Sequence, residues 1–166
     1  MHGGTNRPLQ TVRVERVFAK AFDADDAVLV RGAGTGALRW ALAGTVAPGS
    51  TVLVHKAPVY PTTKVTLDTM GCKTVAAEFN SDDEIRAICR TKGTEVSGVL
   101  IQHSRQKPDD HYELGHVINV IREVLPGVLI VTDDNYAATK VMAIGNQVGA
   151  DLSTFSCFKV LGPEGV

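Results

Sequence analysis

Apolar and polar positions alternate in blocks from one end of the chain to the other. Short runs rich in β-branched residues fall at 27–30, 51–54, 73–76, 98–102, 128–132 and 151–155. Between them, apolar residues recur at helical spacing over 37–45, 62–70, 82–92, 112–124 and, more briefly, 137–144. Strands alternating with helices over short connections predict βαβ units, hence an α/β three-layer sandwich with a mainly parallel sheet. Ser81-Asp82-Asp83-Glu84 reads as a capping box, and Gly71, Gly93 and Gly127 fall where helices should stop. In such sheets ligands bind beyond the carboxyl ends of the strands. The segments 31–36, 55–60, 103–105, 133–136 and 156–159 are therefore the places to look for chemistry.

Composition narrows this picture. A length of 166 residues leaves room for one domain with a real core, and 44% apolar with 21% charged residues is globular composition. Seventeen basic against eighteen acidic residues give a net charge of -1, so neither nucleic acid nor an anionic membrane is an expected partner. At 5% aromatic residues, stacking platforms for single strands are not expected either. No apolar run approaches the roughly 20 residues of a membrane span, and Met1 to Gln10 carry no signal-peptide core. Cys72, Cys89 and Cys157 are an odd, scattered set without CxxC, which points to a reducing cytoplasm rather than to disulfides or zinc.

Val28-Leu29-Val30-Arg31-Gly32-Ala33-Gly34-Thr35-Gly36-Ala37 reads as strand, glycine loop and helix start. Free N–H groups at a helix N-terminus favour a phosphate, and Thr35 adds a hydroxyl. Gly32-x-Gly34-x-x-Ala37 fits a dinucleotide fingerprint, but that reading needs an acid after the next strand. The sequence there is Val54-His55-Lys56, which disfavours NAD and leaves NADP open through Lys56. Pyridoxal phosphate is the competing ligand, since its phosphate also sits on a glycine loop at a helix start.

Two later segments favour that competitor. Lys159 lies between Phe158 and Val160 in an apolar stretch, where desolvation makes an amine a better nucleophile. Leu129-Ile130-Val131-Thr132 ends on the carboxylates Asp133 and Asp134, followed by Asn135 and Tyr136. A carboxylate about 4 Å from a pyridine nitrogen, at an effective dielectric near 20, supplies roughly 4 kcal/mol toward keeping that nitrogen protonated. His111 and His116 lack the spacing of a zinc helix and read as a solvated face.

The ordered set of glycine loop, tyrosine after the second strand, Asp-x-x-Tyr and Ser-x-x-Lys resembles the fold-type I pyridoxal-phosphate enzymes, the aspartate aminotransferase-like family. The tail Lys159-Val160-Leu161-Gly162-Pro163-Glu164-Gly165-Val166 is similar to the class V aminotransferase lysine motif, and the chain looks near the cystathionine lyase and selenocysteine synthase relatives. By this resemblance Lys159 is the lysine that holds the cofactor as a Schiff base. Asp133, with Asp134 as the alternative, pairs with the pyridine nitrogen. Gly34, Thr35, Gly36, Ala37 and Ser156 hold the phosphate, and Tyr136 accompanies Asp133. Tyr60 stacks on the ring, with His55 competing for that role. His103 or Gln102 touches the ring, Arg105 reaches toward a substrate carboxylate, and His55 is a further candidate for substrate binding.

The resemblance covers essentially the whole chain, as the pyridoxal-phosphate-binding large domain over 1–166. The family's N-terminal segment and C-terminal small domain are expected to be missing. It implies an aminotransferase acting on an amino acid or amine, as a homodimer. A lyase eliminating from sulfur amino acids is the alternative, followed by an NADP-binding oxidoreductase domain or an inactive truncated module.

Overall fold

A computed structural model describes residues 8–161. The Gly162-Pro163-Glu164-Gly165-Val166 part of the lysine motif, like Met1 to Arg7, lies outside the described residues. In chain order the elements are helices α1 (Leu9–Ala21) and α2 (Ala33–Thr45), strand β1 (Thr51–His55), α3 (Pro61–Thr69), β2 (Lys73–Ala77), α4 (Asp82–Lys92), β3 (Val96–Gln102), α5 (Leu114–Val124), β4 (Leu129–Asp133), β5 (Leu152–Thr154) and the short α6 (Cys157–Leu161). The strands form one sheet in the order β2-β1-β3-β4-β5, every neighbouring pair parallel.

The pleat of the strands sorts their side chains into two cores. Val52, Val54, Leu100 and Val131 face α2 and α3, where they meet Leu38, Leu42 and Leu67. Leu53, Val99, Ile101 and Ile130 point the other way, onto Ile85 and Cys89 of α4 and Val117, Ile118 and Ile121 of α5. That alternation is what a strand covered on both faces requires. The chain is an α/β three-layer sandwich. Burying a side chain such as Leu42, 1% exposed, contributes roughly 2 kcal/mol.

Strand β1 connects onward to β2 on one side and β3 to β4 on the other, so the connections leaving their carboxyl ends diverge. A crevice opens at such a switch point. Here it is a cavity of about 20 Å³ lined by His55, Gln102 and Asp133 among others.

Three local expectations change, and one helix is new. Residues 27–30 join no sheet: the Leu29 N–H donates to Glu15 Oε1 at 2.8 Å, and Val28 is 61% exposed. Together with Phe18, Phe22 and Phe155 this segment walls an apolar groove of about 640 Å³. Helix α1, unforeseen, is held there by Phe18 and Phe22 on the Phe155 ring, with centroids 5.9 and 5.1 Å away. The stretch 137–144 forms turns instead of a helix, because Thr139 takes a φ of +67°, outside the right-handed helical region. A 3-10 turn follows at Gly145–Val148. Half of the capping box forms: Ser81 accepts from the Glu84 N–H at 3.3 Å, while Glu84 Oε1 turns to the Glu78 N–H at 3.0 Å.

Candidate functional site

Helix α2 starts in a strained turn. Gly32 has a φ of +101°, and Ala33 follows at +53°, a conformation costing on the order of 1 kcal/mol for a residue with a Cβ. The Gly34 and Thr35 N–H groups of the first turn are thereby left for a ligand, while that of Gly36 donates to the Gly32 carbonyl at 2.8 Å. The loop is packed closely: a Cβ on Gly36 would come within 2.2 Å of the Arg31 carbonyl oxygen. Thr35 Oγ1 lies 3.4 Å from Thr62 Oγ1 at the start of α3. Ala37 lines the apolar groove, as does Ser156, which is 3% exposed and precedes α6.

The carboxyl end of β4 faces this loop. Asp133 and Asp134 are neighbours in sequence and opposites in environment. Asp134 is completely buried and accepts three bonds: from His103 Nδ1–H at 2.6 Å, Thr132 Oγ1 at 2.6 Å and the Gly145 N–H at 3.3 Å. Gly145 has to be glycine there, since a Cβ would fall 1.9 Å from Thr132 Oγ1. Asp133 is half-buried, and only its Oδ1 is bonded, by the Asn135 N–H at 3.0 Å and the Asn135 side-chain amide at 2.7 Å. Its Oδ2 has no hydrogen bond among the described residues. Burial pushes the Asp133 carboxyl above the usual range; Asn135 and the Lys159 charge oppose this, and the Asp134 charge adds to it.

Lys159 stands on α6, half-buried, with its Nζ 4.0 Å from the centre of the Tyr136 ring. That is cation–π range, and it fixes the ammonium over a ring that is otherwise half open to solvent. The Lys159 N–H donates to the Ser156 carbonyl at 3.1 Å, so serine and lysine share one turn. The expected residues Gly34, Asp133, Tyr136, Ser156 and Lys159 therefore converge on one end of the sheet. Tyr60, 50% exposed at the start of α3, stands at the carboxyl end of β1 with its ring available.

Two expectations meet a different arrangement. His55 is 2% exposed: its Nδ1 accepts from the Phe79 N–H at 3.1 Å, its Nε2–H donates to Asp110 Oδ1 at 3.0 Å, and its ring stacks on Phe79. Both nitrogens and one face are used within the fold, an arrangement that favours a structural role for His55 over the stacking and substrate roles expected of it. His103 is tied to Asp134. Arg105 is exposed in the loop after β3. The sequence reading gave no role to Asn135, although it lies inside the quoted run; a polar residue between an acidic pair and a tyrosine was the available signal.

A second polar cluster surrounds His55. Glu78 and Asp110 bring their oxygens within ligand distance of its ring, an arrangement that could hold a metal ion. The cluster is already neutralised from within. Lys107 Nζ lies 2.9 Å from Glu78 Oε2, and Asp110 Oδ2 accepts the Gln106 and Lys107 N–H groups at 2.8 Å each. Burial works against ionising Asp110, yet these donors with Asn80 and His55 hold its carboxyl down at about 2.

The dinucleotide alternative loses its structural context. The fingerprint requires a sheet strand directly before the glycine loop, and 27–30 is unpaired. Lys56 Nζ, the group for an NADP phosphate, instead lies 3.3 Å from Glu84 Oε1.

No family model matches the sequence. The chain is 48% identical over 163 residues to the uncharacterised protein YhfS of Escherichia coli strain K12, an alignment covering 98% of this chain and 44% of YhfS. The crystal structure of the pyridoxal-5'-phosphate-dependent YhfS superposes with a TM-score of 0.91 at 47% identity, over 98% of this chain and 44% of that one. A protein of Clostridium acetobutylicum proposed as a cystathionine beta-lyase involved in aluminium resistance gives 0.77 at 20% identity, over 90% and 40%. A methionine gamma lyase of Micromonospora echinospora gives 0.76 at 21% identity, over 93% and 40%. The chain spans less than half the length of each of these relatives, and over that span it has their fold.

Proposed function

We propose that this chain is the cofactor-holding part of a pyridoxal-phosphate-dependent enzyme acting on an amino acid. The observation that carries the reading is the pair Asp133 and Lys159: a half-buried carboxylate with an unbonded oxygen, facing an ammonium fixed over Tyr136. The residues fit the cofactor. Asp133 Oδ2 is an acceptor awaiting a protonated ring nitrogen. The Gly34 and Thr35 N–H groups, the Thr35 hydroxyl and Ser156 offer donors to a phosphate beside Gly36 and Ala37, and Tyr60 offers a ring face. Pyridoxal phosphate, when bound, supplies an electron sink for the bond broken at the substrate Cα. Lys159 forms the covalent link and, once displaced by the substrate amine, holds or moves the proton at Cα. Asp133 keeps the ring nitrogen protonated, which a neutral amide at that position would not do.

Elimination from a sulfur-containing amino acid is favoured over transamination. Both begin with proton removal at Cα by the same lysine, so the local geometry serves either. The structural relatives named as lyases support that order, where the sequence had suggested an aminotransferase. Arg105 is free to meet a substrate carboxylate. A homodimer completes the proposal, with the exposed side chains Trp40 (65%), Phe158 (64%) and Met142 (100%) as surface for a second copy.

The test is a visible absorbance titration with pyridoxal phosphate, then borohydride reduction and peptide mass mapping. The expected result is a long-wavelength band and a single reduced adduct on Lys159. No band and no adduct, with a nicotinamide cofactor raising the melting temperature instead, would overturn the reading. Sulfide or thiol release, rather than keto-acid-dependent amine transfer, would support the lyase order.

A further inference from the structure

Asn135 is 9% exposed, and its Oδ1 is the buried side-chain atom left without a hydrogen-bond partner among the described residues. A buried acceptor in that condition costs roughly 1–3 kcal/mol unless the site makes use of it. Its two sides touch the two halves of the site. On one, the amide Nδ2 and the backbone N–H both hold Asp133 Oδ1, at 2.7 and 3.0 Å. On the other, the side chain lies against the glycine loop, where a Cβ on Gly34 would fall 1.9 Å from Asn135 Oδ1. Gly34 carries no left-handed φ, so the demand for glycine at 34 is made by Asn135 and not by the backbone.

We infer that Asn135 is a positioning residue that spaces the phosphate loop from Asp133, so that a rigid ligand with an anion at one end and a protonated ring nitrogen at the other fits between them. This rests on the pyridoxal-phosphate reading and deepens it. Asn135 acts through Asp133 and Gly34, and no chemistry passes through its own atoms. An alanine at 34 would push the amide off Asp133, because the side chain has the loop on one side and the carboxylate on the other. The groups facing Asp133 are Asp134 at the same strand end, Lys159 on α6 and His55 across the small cavity. None of them donates to Oδ1, so nothing replaces Asn135 when it is removed.

The experiment is a double-mutant cycle read as pyridoxal-phosphate affinity, with each variant's melting temperature as the check on folding. Gly34→Ala and Asn135→Ala are each expected to weaken binding about 10-fold, the worth of one hydrogen bond to a charged group. The double variant is expected to bind no worse than Asn135→Ala alone, since the clash and the lost bond are one event. Multiplication to about 100-fold would make the two residues independent and overturn the inference. Asn135→Asp keeps the volume against Gly34 but turns the donor into a further carboxylate beside Asp133, in addition to Asp134. It is expected to move the acid limb of cofactor binding upward by about one pH unit, and a wild-type profile would count against a positioning role even if Gly34→Ala failed to fold. Wild-type protein that binds no pyridoxal phosphate sinks the functional reading and this inference with it. Wild-type binding with an additive cycle removes the inference only.

Discussion

The two polar clusters at the carboxyl end of the sheet are built from the same residue types and behave in opposite ways. Around His55 the accounts are closed. Asp110 accepts from two N–H groups, Asn80 and His55, Lys107 covers Glu78, and Asn80 in turn fixes the His111 and Tyr112 N–H groups at 2.8 and 3.0 Å. Around Asp133 they are open: an unbonded carboxylate oxygen, an orphan amide oxygen on Asn135, and a lysine resting on an aromatic ring. Buried polar groups are normally satisfied, so the first cluster reads as structure and the second as a site held ready for something the chain does not itself supply. Residue type alone does not separate them, as His55 shows.

The sharpest way to break this comparison is Lys159→Ala, for which borohydride is expected to trap no cofactor on the protein at all. A trapped adduct elsewhere would move the site. Next in size is Asp133→Asn, expected to weaken pyridoxal phosphate by roughly 10- to 100-fold, the range for a hydrogen bond to a charged partner. The linkage runs against the folded state here. A carboxyl raised on folding contributes stability that is present below its unfolded value and lost as pH rises through its folded one. Removing the charge should therefore leave the melting temperature at neutral pH unchanged or higher.

Asp110→Asn tests the other cluster with the opposite sign. Its depression from 3.8 to about 2 contributes stability that is present above pH 4 and lost as pH falls toward 2. At neutral pH the substitution should cost roughly 2 kcal/mol, or about 4–8 °C in melting temperature, with cofactor affinity unchanged where the chain stays folded. The smallest effect belongs to Lys56→Met. Its Nζ lies 3.3 Å from Glu84 Oε1 with the lysine side chain 60% exposed, so melting and pyridoxal-phosphate affinity should both stay near wild type.

The sheet was legible because its strands are short apolar runs buried on both faces, and residues such as Val52, Leu53 and Val54 leave no other way to fold. The same signal misled at 27–30, where the run is apolar but its backbone is met by Glu15 instead of a neighbouring strand. Helix α1 was hidden because Phe18 and Phe22 find their partner, Phe155, far along the chain. That Gly34, Asp133 and Lys159 meet at one end of the sheet was legible too. What the sequence left open was the division of labour within pairs. Asp134 is taken by His103, Thr132 and Gly145, and His55 by Phe79 and Asp110, contacts between distant segments that no local spacing encodes.

The central claim is that the β4 end is left unsatisfied for a ligand while the β1 end is not. The most direct test is to melt wild-type and Asp133→Asn protein at pH 7, with and without pyridoxal phosphate. Ligand binding stabilises a fold in proportion to the logarithm of its occupancy. Asp133→Asn should melt at or above wild type without cofactor and gain distinctly less from adding it. A variant that melts lower on its own, and gains as much as wild type from the cofactor, would make Asp133 a structural residue and contradict the account.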